Sequence, residues 1–142
     1  MAQRFQLALN VEDLEVAVNY YSKLFGAQVN KRKPGYANFA IENPPLKLVL
    51  LENPGAKERI NHLGVENSEQ RDVDAAIDRF TKSGIADEEE VGETCCYAKQ
   101  NKIWTTDPAG TRWEWYRILD DVEEFGDSKV VSQDGGGVCC SA

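Results

Sequence analysis

Two stretches of this sequence carry the same order of elements, and that repeat narrows the available folds more than any other feature. In the first, FQLALNV alternates, with Phe5, Leu7, Leu9 and Val11 on one face and Gln6, Ala8 and Asn10 on the other, the period of a strand. A helix follows: Asp13 suits its N-cap, Leu14, Val18, Tyr21 and Phe25 recur at helical spacing, and Gly26 ends it. Extended runs are expected at Gln28–Lys31, Tyr36–Ile41 and Leu46–Glu52, punctuated by Pro34-Gly35 and Pro44-Pro45 and closed by Asn53-Pro54-Gly55. The second stretch repeats this order. His62–Glu66 reads as a strand, Val73, Ile77 and Phe80 mark a helix stopping near Gly84, and extended runs follow at Val91–Tyr97, Lys102–Thr106 and Arg112–Arg117. Each half is β-α-β-β-β. The expected organisation is a single α+β domain over 1–117, built from modules at about 4–53 and 60–117, with an appended segment over 118–142.

Aligning the halves element by element sets Gln6 over His62, and Leu46–Leu51 over Thr111–Tyr116, which puts Val49 opposite Glu114. If the halves pack about a pseudo-twofold axis, Gln6, Val49, His62 and Glu114 converge. Three of these can bind a metal; Val49 cannot. Glutamine oxygen, imidazole nitrogen and carboxylate form a mixed, fairly hard donor set that suits Fe(II), Mn(II), Ni(II) or Zn(II), with Co(II) a further stand-in. Glu52 reaches the fourth position only if the register slips by one residue, which would flip its side chain to the other face. Glu114 lies between Trp113 and Trp115, where an unpaired buried carboxylate would be costly.

The four cysteines fall in two adjacent pairs, Cys95-Cys96 and Cys139-Cys140. Neighbouring Cα atoms lie about 3.8 Å apart, whereas an ordinary disulfide needs roughly 4.4 Å or more. The pairs therefore read as free thiols able to converge on one soft ion or metalloid. Adjacent side chains on a regular strand point to opposite faces, so joint use of Cys95 and Cys96 requires a departure from strand geometry, expected at Gly92–Lys99. Tyr97, Lys99 and Lys102 stand near the thiols in sequence, and a lysine there would favour the thiolate.

A net charge of −8 argues against a nucleic-acid or anionic-membrane surface. No apolar run approaches the ~20 residues of a membrane span, and the opening residues lack a signal-peptide layout. Cytoplasm is the expected location, where thiols stay reduced. From Ile118 the chain carries six acidic residues against one lysine, then Gly135-Gly136-Gly137 and the second cysteine pair; this composition predicts a flexible tail. Phe39, Trp104, Trp113 and Tyr116 read as core, and Glu88–Glu90 as a solvated charge run.

At these residues the chain resembles the vicinal oxygen chelate superfamily, which includes glyoxalase I and the extradiol dioxygenases. The paired β-α-β-β-β layout over about 4–117 carries that likeness. The segments PGYANFAIENPPLKLVLLENPG (34–55), NHLGVE (61–66) and TCCYAKQNKIWTTDPAGTRWEWY (94–116) resemble, more narrowly, the carbon–arsenic lyases and the closely similar cadmium-induced proteins. The resemblance implies a curved sheet cup around a metal site. It implies Gln6, His62 and Glu114 as ligands of Fe(II), and Cys95 and Cys96 as the thiols that hold substrate; Tyr97 and Lys102 are further candidates only through their nearness to the thiols in sequence. The implied activity is O2-dependent cleavage of the carbon–arsenic bond in methyl- or aryl-arsenic(III) compounds, releasing arsenite. Homodimerisation is left open.

Two other functions compete with this expectation. A non-enzymatic protein could sequester Cd(II) or As(III) through its cysteine pairs. A glyoxalase-type isomerase would need the fourth ligand that Val49 does not supply, and would leave the cysteines unexplained.

Overall fold

The computed structural model describes residues 3–95 and 98–121. Ten elements follow the expected order: β1 (Gln3–Val11), α1 (Leu14–Phe25), β2 (Lys31–Lys33), β3 (Tyr36–Ile41), β4 (Leu46–Glu52), β5 (Ile60–Asn67), α2 (Gln70–Lys82), β6 (Glu88–Cys95), β7 (Ala98–Thr106) and β8 (Arg112–Asp121). The strands form one sheet in the order β2-β3-β4-β1-β5-β8-β7-β6. Each module contributes four consecutive strands, and the modules join through the antiparallel pair β1–β5.

That seam carries the expected pseudo-symmetry in its register. Leu7 pairs with Leu63, Gln6 pairs with Gly64, and Ala8 pairs with His62, so exchanging the modules maps Gln6 onto His62 and Ala8 onto Gly64. The parallel pairs agree: Ala8 lies beside Val49 in one module and Gly64 beside Glu114 in the other. Val49 and Glu114 therefore occupy equivalent places.

Local chemistry sets the ends of α1. The Asp13 side chain accepts a hydrogen bond from Val16 N (3.1 Å), and Gly26 closes α1 with φ 62°, a conformation that suits glycine. Burial then assigns the two faces of the sheet. Leu7 and Leu9 of β1 join Leu14, Phe39, Leu48 and Leu50 in a core beneath α1. Ala76 and Phe80 of α2 meet Ile103 and Trp115 in a second core. Gln6, Val49, His62 and Glu114 are also buried, but on the face away from the helices. Curvature of the sheet buries them. The Tyr116 hydroxyl of β8 meets the Gln6 side chain of β1, although two inter-strand steps, about 10 Å in a flat sheet, separate those strands.

Several strand boundaries differ from the sequence reading; β5 spans Ile60–Asn67 instead of His62–Glu66, and β7 begins at Ala98 instead of Lys102. Residues 28–30 are not strand, and β2 begins only at Lys31, where a partner on β3 becomes available. Glu88–Glu90 belong to β6 and pair with Lys102–Trp104; they form part of an edge strand, a position where charge discourages pairing with other chains. β8 continues beyond Arg117 to Asp121 because β7 supplies partners as far as Ala98.

Candidate metal centre

Three residues from three strands meet on the buried face. Gln6 Nε2 donates to Glu114 Oε2 (2.6 Å), and His62 Nε2 lies 2.9 Å from the same oxygen. Their side chains belong to residues only 4%, 2% and 3% exposed for Gln6, His62 and Glu114. Around them, Tyr116 Oη donates to Gln6 Oε1 (2.5 Å), Lys102 Nζ forms an ion pair with Glu114 Oε1 (2.8 Å), and Asn61 Oδ1 stands 2.8 Å from His62 Nδ1. The Trp104 ring packs edge-on to His62 with centroids 5.4 Å apart.

Burial on its own would push the Glu114 carboxyl up. The charge of Lys102, with the direct contacts from His62 and Lys102, outweighs it and brings the pKa down from 4.5 to about 2. Glu114 is thus an anion at neutral pH. Burial drives the Tyr116 phenol the other way, well above its usual range, reinforced by Glu66 and Glu114; it remains a neutral hydrogen-bond donor.

The donor set fits a divalent cation. A carboxylate, an imidazole nitrogen and the Gln6 amide meet; the amide turns its nitrogen to Glu114 and its oxygen to Tyr116, and would offer a cation its oxygen after a half-turn. Glu114 Oε1 accepts no aligned hydrogen bond although it is buried and faces Lys102. Space is reserved as well: a Cβ on Gly64 would stand 2.5 Å from the Glu114 carbonyl oxygen, 2.8 Å from Glu114 Cγ and 3.4 Å from Gln6 Nε2. Among the described residues, no three His, Cys, Asp or Glu side chains cluster; the grouping becomes a triad only through Gln6.

The other expected residues are placed as follows. Val49 sits at the fourth equivalent position, buried between Ala8 and Asn38 in register. Glu52 turns away to accept from Leu14 N at the start of α1 (2.9 Å). Lys102, expected to act on the thiols, is buried against Trp104 and Tyr116 and spends its charge on Glu114. Cys95 is the last residue of β6 and pairs with Ala98. The hairpin departs from regular register between Glu90 and Glu93 and between Lys99 and Gln100, at the two ends of the segment Gly92–Lys99 where irregularity was expected. Cys96, Tyr97, Cys139 and Cys140 lie outside the described residues. Trp104 and Tyr116, read as core, border the triad. Sequence reasoning passed over Asn61 and Gly64; the only signal for either was adjacency to His62 within NHLGVE.

A family model described as the Glyoxalase/Bleomycin resistance protein/Dioxygenase superfamily matches residues 4–115. The cadmium-induced protein CadI of Mycobacterium tuberculosis is 54% identical over 140 residues, covering 96% of this chain and 92% of that protein. A trivalent organoarsenical cleaving enzyme of Thermomonospora curvata is 46% identical over 139 residues, covering 97% and 88%. Among solved structures, a Mn(II)-bound glyoxalase from Novosphingobium aromaticivorans superposes with a TM-score of 0.62 at 16% identity, over 91% of this chain and 43% of that one. An extradiol ring-cleaving dioxygenase from B. fuscum gives 0.61 at 20% identity, over 87% and 34%. At such identities the structural likeness concerns the fold.

Proposed function

This chain belongs to the glyoxalase/bleomycin resistance protein/dioxygenase superfamily, and from that premise we propose that it cleaves the carbon–arsenic bond of trivalent organoarsenicals with Fe(II) and O2. The observation that carries the reading is the convergence of Gln6, His62 and Glu114 on one buried face, in a chain that also bears a vicinal thiol pair. The name of the T. curvata relative supplies the substrate class.

Cys95 and Cys96 take up the substrate. Each thiol gives a proton to one arsenic hydroxyl, two waters leave, and two sulfur–arsenic bonds form. Gln6, His62 and Glu114 hold the cation, with Ni(II), Co(II), Mn(II) or Zn(II) as stand-ins for iron. When bound, Fe(II) supplies the redox chemistry through which O2 takes part. Lys102 keeps Glu114 ionised, the Tyr116 oxygen would accept from the Gln6 nitrogen once the amide turns its oxygen to the cation, and Trp104 excludes water from the His62 side. Overall, methylarsonous acid and one O2 give formaldehyde and arsenous acid, a balance that needs no further reductant. Holding the reactants in register contributes on the order of 7–11 kcal/mol to such a reaction. A reducing compartment such as the cytoplasm suits the free thiols.

The test is arsenic speciation after Fe(II)-loaded protein meets methylarsonous acid with and without O2. O2-dependent arsenite, lost in Cys95→Ser and in His62→Ala, is expected; no arsenite in air overturns the reading. The 54% identity to CadI favours a second reading, in which the cysteine pairs sequester Cd(II) or As(III). Tight arsenic binding without turnover, unaffected by His62→Ala, selects it.

A further inference from the structure

Beside the triad, β5 takes an irregular step. Ala8 pairs with His62 but Leu9 pairs with Ile60, so Asn61 is the unpaired extra residue of a β-bulge. On a regular strand Asn61 and His62 would point to opposite faces. Bulges re-aim side chains, and here Asn61 Oδ1 comes within 2.8 Å of His62 Nδ1.

One fixed end determines the direction of every hydrogen bond in this corner. The Glu58 carbonyl can only accept, and Asn10 Nδ2 donates to it at 2.9 Å. Asn10 Oδ1 must therefore face the other way, where it accepts from Asn61 Nδ2 (3.0 Å) and Asn53 Nδ2 (3.2 Å). With its nitrogen committed, Asn61 presents its oxygen to the imidazole, and an amide oxygen only accepts. The proton must then sit on His62 Nδ1. His62 Nε2 is left facing the ionised Glu114 at 2.9 Å, and two acceptors that close repel unless a proton or a cation lies between them.

We propose that Asn61, through its relay to Asn10 and the Glu58 carbonyl, is the positioning residue that fixes the proton on His62 Nδ1 and keeps Nε2 as the ligating nitrogen. The inference rests on the reading of His62 as a metal ligand. The relay also ties the ring to the link between modules, because Asn10 N donates to Arg59 O and Asn53 N to Val11 O, both at 2.8 Å.

The chain has a single histidine, so nitrogen-15 spectra of the imidazole report this residue alone. In the metal-free wild type the expected signal is an Nδ1 proton protected from exchange with water. Asn61→Ala removes that protection and weakens Zn(II) binding by about 10–100-fold, the usual effect of losing a partner that orients a ligand. Asn61→Asp keeps an acceptor for the ring but loses the donor to Asn10 Oδ1, so it retains the Nδ1 proton and recovers part of the affinity. Asn10→Ala, one bond further from the ring, gives the alanine effects in weaker form and guards against a single variant that fails to fold. A wild-type ring without a proton on Nδ1, or an Asn61→Ala protein with wild-type protection and affinity, overturns the proposal. Wild type that holds the Nδ1 proton yet takes up no Zn(II) overturns the metal reading and the ligand half of this inference. The two failures stay distinct because the proton is read without metal.

Discussion

Lys102 places an ammonium where burial alone would expel it, and it stays because Glu114 Oε1 is 2.8 Å away. Removing one member of such a pair leaves an uncompensated buried charge, so Lys102→Met should lower stability at neutral pH by about 3–5 kcal/mol. The double variant Lys102→Met/Glu114→Gln should recover most of that loss in denaturant titrations. The same pair sets an acid limit for the metal-free protein. The Glu114 pKa falls from 4.5 to about 2 on folding, so its contribution is complete above about pH 4.5 and is lost as pH falls toward 2. Lys102→Met should abolish this segment of the stability–pH curve, since burial then acts on the carboxyl with one charge fewer against it. Gly64 offers a steric test. Its added Cβ would meet Glu114 backbone at 2.5 Å, so Gly64→Ala should cost about 1–3 kcal/mol and abolish cation binding in calorimetry. Of these residues, Gln6, His62 and Glu114 could be read from the sequence because a repeat assigns equivalent positions whatever side chains fill them. Gly64 could not, because its crowding arises only when β8 runs parallel beside β5. Asn61 could not either, since a single inserted residue leaves no periodic trace.

At the scale of elements, α1 announced its ends, whereas α2 begins at Glu69 without a side-chain cap and the strands announced nothing. Asp13 and Gly26 terminate α1 by local chemistry, which a sequence displays directly. β2 and β6 begin where a neighbour offers hydrogen bonds, information held by residues elsewhere in the chain. This difference carries a prediction. Asp13→Ala removes only the acceptor for Val16 N, so it should destabilise the fold by about 1 kcal/mol and leave Zn(II) affinity unchanged. A change in affinity would mean that α1 and the opposite face of the sheet are coupled.

For the whole molecule, the near-twofold arrangement gives four equivalent corners, of which Val49 fills one with a hydrocarbon. Val49→Glu would complete the set at a buried place beside Ala8 and Asn38. Without metal, the new carboxylate should destabilise the protein, because a buried charge needs a partner. With Zn(II) it should regain that stability, so the gap between the metal-free and metal-loaded melting temperatures should widen relative to wild type. Failure of the gap to widen would show that the fourth corner does not face the other three.

The depth of the triad has a consequence for history. Gln6, His62, Glu114 and Lys102 are each no more than 4% exposed, so on the proposed reading the entry of a cation would depend on the protein opening. Uptake should level off with rising ion concentration instead of climbing in proportion. Were opening slow, the first occupant admitted would be kept. The ion found in a purified sample then records the order in which the protein met its surroundings, and exchange for iron becomes a matter of waiting time before it is a matter of preference.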